Sequence, residues 1–492
     1  MSHRLVTTVA AFAAALVVLT ACSAPASETE SSEWKPEPVK WSDCAKDDEA
    51  VSSVPEVVCA TLVVPIEYAD PKAGTTEIAL AKLPATEKTD DAEAVLLNPG
   101  GPGAGGRALA TLGTATLTDL ATDHDLIGFD PRGTGASKPL ACLYEARTMT
   151  GFEATENELA AAMAGQKEDL DACIETDREY IGSMNVETTA RDMDAIRMAL
   201  GEKKIDYVGF SWGTYLGATY RSLFPDSVDE MVLDSSVASE LDLAVFQPDV
   251  AELGAPALQE FASFVASSPE GAPLGTTADE VAATLNELTT TLLGKQVTVD
   301  DAPVGSATLS DLVFAPKLVW ADSVTQLVAI KEALGTLAPV EPGTDAVTLG
   351  IEAAYLCNDW QTAEQSASSA WKDISQLRAD FPTTWTATQA YYYGFCAGWP
   401  KDLRVGDGVE LRDTGSPVLL GMHTSELVTP AALTKELQGT IGGSILTIED
   451  DIHASAGTGS RCGAEAIAAF LSEKKLATTT CEYDLDPFGE GE

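Results

Sequence analysis

The sequence predicts an α/β protein with a mostly parallel central sheet, interrupted by a largely helical insertion. Three observations carry that expectation. Short apolar runs rich in β-branched residues recur between turn residues, several are apolar on both faces, and segments with three- and four-residue apolar spacing lie between them. The runs read as strands are 60–65, 77–83, 94–98, 125–129, 206–210, 230–234, 417–421 and 444–448. Helical patterns include 188–200, where Met193, Ile196 and Leu200 follow the spacing, and 213–224. From 239 to 400 the pattern changes to Ala, Leu and Thr with helical periodicity at 277–293, 324–337 and 362–379, and strand signals become scarce. The expected organisation is therefore a core in two parts, 41–238 and 401–482, separated by a helical cap at 239–400, with an acidic tail at 483–492.

Composition narrows the function. With 492 residues, 45% of them hydrophobic and 22% charged, and with 39 glycines and 25 prolines, the chain is globular, not disordered, collagen-like or a polytopic membrane protein. Thirty basic residues against 76 acidic ones give a net charge of −46, a field that repels nucleic acid and anionic bilayers alike. Nucleic acid is excluded as a partner. Any membrane attachment has to come through the N-terminus or a lipid.

The first segment is an address. Arg4 precedes an apolar stretch, 5–19, that lacks acidic residues, so 1–21 reads as a secretory signal peptide. Leu19-Thr20-Ala21-Cys22 resembles the lipobox of bacterial lipoproteins, which makes Cys22 the expected lipidation site, 22–40 a flexible tether, and the outer face of the cell membrane or the envelope the expected location. A plain signal peptide cleaved nearby is the competing reading. The cysteines agree with export: beyond Cys22 stand Cys44, Cys59, Cys142, Cys173, Cys357, Cys396, Cys462 and Cys481, an even set. They fall into sequence-local couples, 44–59, 142–173, 357–396 and 462–481. A zinc site is disfavoured, because there is no pair of cysteines at two-residue spacing and no histidine pair at ligand spacing. No metal and no cofactor are expected, and the chain is expected to be a monomer.

Two glycine-bearing turns carry the chemistry. Gly209-Phe210-Ser211-Trp212-Gly213 lies directly between a strand signal and a helix signal, the context a nucleophile elbow requires. Such a turn strains the backbone at the serine and needs small residues two positions either side. A serine that merely caps the following helix is the structural alternative. Residues 98–106, Asn-Pro-Gly-Gly-Pro-Gly-Ala-Gly-Gly, follow another strand; so much glycine lets a backbone approach a ligand and aim N–H groups at it. No Gly-Lys-Ser/Thr follows, so it is not a nucleotide loop. Gly100 or Gly101 together with Trp212 is the expected oxyanion hole.

The base comes from a short list. Of four histidines, His3 lies in the signal and His124 precedes Ser211, against the order serine, acid, histidine of the α/β-hydrolase fold. His453, after the last strand signal, is the expected base, with His423 left to a supporting or core role. Glu426, after the strand at 417–421, is the expected acid; Asp413, Glu449, Asp450 and Asp451 are its rivals.

Taken together, 59–71, the Gly-Gly-Pro-Gly loop at 100–103, 125–137, the elbow, Cys396-Ala-Gly-Trp-Pro400 and Cys462 to Cys481 resemble the actinobacterial tripeptidyl aminopeptidases among the proline-iminopeptidase-like α/β-hydrolases. Two departures stand out. Glu426-Leu-Val-Thr-Pro430 occupies the place of the family's Asp-Pro-Val-Thr-Pro, and Ala454 follows the histidine where Gly or Ser is usual. The Asp130-Pro-Arg-Gly turn reads as structural support. The resemblance implies a secreted serine exopeptidase acting on peptides with a free N-terminus and releasing short peptides, tripeptides among them. A free α-ammonium needs an anion in the site, and Glu352 and Asp359 in the insertion are the candidates. A carboxylesterase or lipid-acyl hydrolase would use the same triad without that anion. A non-catalytic peptide-binding lipoprotein is the remaining alternative.

Overall fold

A computed structural model of the chain describes residues 34–482, apart from 88–91, 146–154, 240–243, 340–349, 360–365, 389, 406–407 and 477. The expected signal peptide, Cys22, most of the tether and the acidic tail lie outside the described residues.

The strands in chain order are β1 (Ser42–Asp43), β2 (Val58–Pro65), β3 (Thr75–Leu83), β4 (Glu93–Asn98), β5 (His124–Phe129), β6 (Ile205–Phe210), β7 (Val228–Asp234), β8 (Lys295–Val299), β9 (Ala302–Val304), β10 (Ala338–Pro339), β11 (Val418–His423), β12 (Ser444–Ile448) and β13 (Thr480–Cys481). Each run read as a strand from the sequence is one. Ten of these strands form the main sheet, in the order β1-β2-β3-β5-β4-β6-β7-β11-β12-β13. Neighbours from β5 across to β13 run parallel, whereas β1, β2 and β3 join antiparallel at the other side. Parallel strands demand helical crossovers, and those helices cover both faces; β6 is accordingly buried along its whole length. Val95, Leu97, Leu126, Val208, Val232, Leu419 and Leu446 share one buried core.

Between β7 and β11 the chain is mostly helical and has a hydrophobic core of its own, built from Leu258, Phe261, Val281, Leu285, Leu309 and Leu327 among others. Sequence reading missed strands here. Lys295-Gln-Val-Thr-Val alternates in hydropathy, and Asp300 and Asp301 both take positive φ, 49° and 66°, the two-residue turn that matches strand twist in a hairpin. A run this short, inside helical surroundings, gave too weak a period to stand out.

All four sequence-local cysteine couples are disulfides: Cys44–Cys59, Cys142–Cys173, Cys357–Cys396 and Cys462–Cys481. The Asp130-Pro-Arg-Gly turn is an anchor. Arg132, fully buried, forms a two-point ion pair with Asp192 at 2.6 and 2.7 Å and donates to the carbonyls of Pro65 and Ile66 at the end of β2. Asp130 holds Arg107 and the Ala136 N–H. The turn thereby fixes the segment that follows the glycine-rich loop.

Candidate active site

Ser211 stands between β6 and the helix Trp212–Leu223 at φ 55° and ψ −128°, and its side chain makes no capping bond to that helix. A serine that only capped the helix would show the bond and an extended backbone. The strained geometry, which costs on the order of 1–3 kcal/mol, is held by crowding. A Cβ at Gly209 would lie 2.5 Å from the Gly213 carbonyl oxygen, and one at Gly213 would lie 2.8 Å from Asn98 Oδ1. Only glycine fits on either side of the serine.

The glycine-rich loop lies on the elbow. At Gly100, whose φ is 91°, a Cβ would come within 2.4 Å of the Phe210 carbonyl oxygen and 2.9 Å of the Trp212 nitrogen. The Gly100 N–H is already engaged, donating to Asn98 Oδ1 at 3.0 Å. Of the two glycines expected as oxyanion donors, Gly100 therefore serves the loop's own shape, and the expectation narrows to Gly101.

Beyond the elbow, His453 and Glu426 meet: the imidazole Nδ1 bonds Glu426 Oε1. The carboxylate is buried and fully occupied, since Oε1 also accepts from the Thr429 hydroxyl and N–H and Oε2 accepts from the Ser235 hydroxyl at 2.9 Å. Burial pushes the Glu426 carboxyl up, but the bond to His453 and the positive charge of His453 and His423 outweigh it and leave it below its ordinary value. The extra methylene relative to aspartate does not cost the contact. Ser235 does a second job, accepting the Ala454 N–H at 2.7 Å, so that one hydroxyl ties the acid to the histidine loop. Ala454 itself takes φ 62°, the left-handed conformation that explains why glycine suits this place.

The rivals for the acid are placed elsewhere. Asp450 bonds His423 Nδ1 at 2.5 Å and accepts the Ser455 hydroxyl; Asp451 accepts the Lys317 N–H at 3.1 Å; Asp413 pairs with Arg221. His423 is fully buried, with Asp234 on its Nε2 at 2.9 Å, and Asp234 in turn accepts the Ala456 N–H. Burial lowers this imidazole's pKa, but the two carboxylates outweigh it and hold it at about 11, so His423 is a charged clasp between the ends of β7 and β11 and the loop bearing His453. Sequence reading missed Ser235, Thr429 and this clasp. The available signal was that two apolar strand runs end in Asp234 and His423.

The two candidate anions in the insertion part company. The helix Gly350–Asp359 packs on the glycine-rich loop: a Cβ at Gly103 would sit 2.8 Å from Ile351 and 3.4 Å from the Glu352 nitrogen. Tyr355 on the same helix meets Trp212 edge to face with ring centroids 5.5 Å apart. Glu352 is buried here, accepts the Tyr392 hydroxyl at 2.8 Å, and is pushed by burial to a pKa of about 7 despite that bond. Asp359 lies two turns, roughly 10 Å, further along the helix. Both its oxygens accept the Val186 N–H at the start of the helix Val186–Leu200, at 3.2 and 2.9 Å. Asp359 thus engages an orphan N–H at the start of that helix, whereas Glu352 meets only a hydroxyl among the described residues.

A strained serine at a strand-to-helix turn, an imidazole–carboxylate pair past it and a mostly parallel sheet beneath are the features of a serine hydrolase of the α/β-hydrolase fold. Residues 93–295 match the family described as alpha/beta hydrolase fold, and 382–481 match that of TAP-like proteins. The tripeptidyl aminopeptidase of Streptomyces coelicolor is 31% identical over 448 residues, 86% of this chain and 81% of that protein. A serine protease of Mycobacterium tuberculosis is 32% identical over 214 residues, 42% of this chain and 41% of its own. A carboxylesterase B of the same species is 26% identical over 489 residues, 89% of each. The chain belongs to the tripeptidyl aminopeptidase family and is a serine peptidase.

Proposed function

We propose that this protein is an exported, lipid-anchored serine exopeptidase that releases short peptides, tripeptides among them, from free N-termini. The observation that carries the reading is Glu352, a buried carboxylate on the helix that packs against the glycine-rich loop, with no cationic partner among the described residues. A substrate α-ammonium would supply that missing charge, and its arrival would draw the carboxyl into its ionised form. An esterase has no use for such an anion.

In this mechanism Ser211 attacks the scissile carbonyl while His453 takes its proton, and Glu426 orients the ring and stabilises the imidazolium. The N–H groups of Gly101 and Trp212 receive the developing oxyanion, in the positive end of the helix Trp212–Leu223. His453 then returns the proton to the departing amine, and water releases the acyl group by the same steps in reverse. The insertion, anchoring the substrate's end, limits the length of peptide removed. Four disulfides suit an oxidising compartment, as export of the chain requires.

Hydrolysis of tripeptidyl amides with free and acetylated N-termini, alongside short-chain esters, tests the reading. Free-amine amides should be preferred by about 100-fold in kcat/KM, as a buried charge pair implies, and Glu352→Gln should erase most of that preference. Turnover of acetylated amides and esters with none of the free-amine amides would overturn it.

A further inference from the structure

Three side chains that the triad does not use converge at the N-terminal edge of the parallel strands, the end away from Ser211. Glu93 opens β4, His124 opens β5 and Asp206 is the second residue of β6, and β4 runs between the other two strands. Glu93 pairs with His124 across the ladder, and Asp206 pairs with Val95, two positions along from Glu93, so all three side chains share one face of the sheet. His124 Nε2 stands 3.6 Å from Glu93 Oε2 and 3.6 Å from Asp206 Oδ2. The imidazole is 2% exposed, and this nitrogen has no hydrogen-bond partner among the described residues.

The other ring nitrogen sets the tautomer. Nδ1 bonds Asp123 Oδ1 at 2.7 Å, and the same oxygen accepts the Ser472 hydroxyl at 3.1 Å. A carboxylate on Nδ1 takes the ring's N–H and leaves a lone pair on Nε2, the arrangement that stands behind metal-bound histidines. Asp206 is held as well, its Oδ1 accepting the Glu230 N–H at 2.8 Å. Burial lowers the pKa of this imidazole, but Asp206 and Asp123 outweigh it, so the surroundings favour a positive charge here. Separation distinguishes an ion from a proton. A proton on Nε2 needs an acceptor within roughly 3.2 Å, whereas ligand atoms about 2.1 Å from a tetrahedral zinc ion lie about 3.4 Å from one another. The neighbouring cluster shows the contrast: Asp229 and Glu230, which also gather around Asp206, are bridged by the Lys474 ammonium at 2.8 and 3.0 Å. Neither Glu93 nor Asp206 pairs with a lysine or arginine among the described residues. A recess of about 340 Å3 with Glu93 and Asp206 in its wall gives an ion its way in, and Lys204, in the same wall, turns to Asp229.

We propose that Glu93, His124 and Asp206 bind one zinc ion, with water completing its coordination, and that the ion ties the starts of β4, β5 and β6 together. One imidazole with two carboxylates suits zinc better than calcium or magnesium, which favour oxygen alone. Asp206 and Ser211 are five positions apart along β6 and the turn after it, about 16 Å of strand. The ion therefore stabilises the sheet and takes no part in hydrolysis, and the proposal is independent of the exopeptidase reading. No spacing in the sequence shows the set, because its members come from three strands.

The test strips the whole enzyme with a chelator, dialyses it, and titrates it with Zn2+ against a chromogenic chelator in excess Mg2+, which occupies weak acidic surface sites. The wild type should bind a single equivalent and gain a few degrees in melting temperature, with kcat unchanged. Asp123→Asn should weaken binding by about 10–100-fold, as loss of a partner behind a ligating histidine does. His124→Gln and Glu93→Gln should weaken it at least as much and lose the thermal gain. Glu93 is more than half exposed, with a side-chain exposure of 55%, so its replacement leaves the fold standing. Cobalt in place of zinc should give visible ligand-field bands in the wild type and none in His124→Gln. No stoichiometric zinc on folded wild type, which would leave His124 a protonated strand-end histidine, overturns the proposal. So does zinc binding that Glu93→Gln and His124→Gln leave unchanged, the mark of the acidic surface alone.

Discussion

Glu426 and Asp450 lie in adjacent loops, and each bonds the Nδ1 of a histidine: Glu426 bonds His453, and Asp450 bonds His423. Sequence order could not separate them, because spacing along a chain does not say which carboxylate faces which ring. Burial and partners do. Removing the charge of Glu426 while keeping its shape, in Glu426→Gln, should lower kcat by on the order of 10^4, the scale seen when a triad acid loses its charge. Asp450→Asn leaves the Glu426–His453 pair standing, so its cost should fall mainly on stability. Steady-state kinetics and thermal melts on both variants check this; a larger kcat loss in Asp450→Asn would transfer the acid's role. The place of Ser211 at a strand-to-helix turn and of His453 in the loop after β12 was readable from the sequence, because the chemistry allows so few residue types. Glu352 and Asp359 could not be told apart in the sequence, because an acid that meets the N–H groups of a helix start and one without such a partner look alike without coordinates.

At the scale of elements, the elbow and the glycine-rich loop behave as one piece. Gly100 has its left-handed φ and its close approach to Phe210 and Trp212 for the same reason: the loop must lie flat on the turn that bears Ser211. Gly100→Ala would force the two apart. It should cut kcat by about 10^2–10^3, as loss of an oxyanion donor does, with KM for free-amine substrates less affected, since Glu352 belongs to the neighbouring helix. Kinetics on a folded variant, checked by circular dichroism, decide it; an unchanged kcat would mean that the loop has no part in the oxyanion site. Strands and long helices were legible because burial imposes a period on the sequence. The hairpin of β8 and β9 was not, since its short alternation sits among helices that supply most of its packing.

Over the whole molecule, one buried imidazolium links the sheet to the catalytic loops. The folded pKa of His423, about 11, lies above its ordinary value of 6.5, so its contribution to stability is complete below 6.5 and is lost as pH rises toward and through 11. Unfolding free energy, measured by denaturant titration at several pH values, should fall across that window in the wild type and fall less steeply in His423→Gln. The net charge of −46 adds self-repulsion at every pH in that range, so moderate salt should raise the melting temperature. Composition announced the charge. The clasp emerged only with the fold, because Asp234, His423 and Asp450 come from separate parts of the chain.

The central claim is that Ser211 is a nucleophile activated by His453. Mass spectrometry after treatment with a fluorophosphonate measures it directly. The wild type should carry the adduct on the peptide containing Ser211, Ser211→Ala should carry none, and His453→Ala should label far more slowly. No adduct in folded wild-type protein, or an adduct on a different residue, would contradict the account.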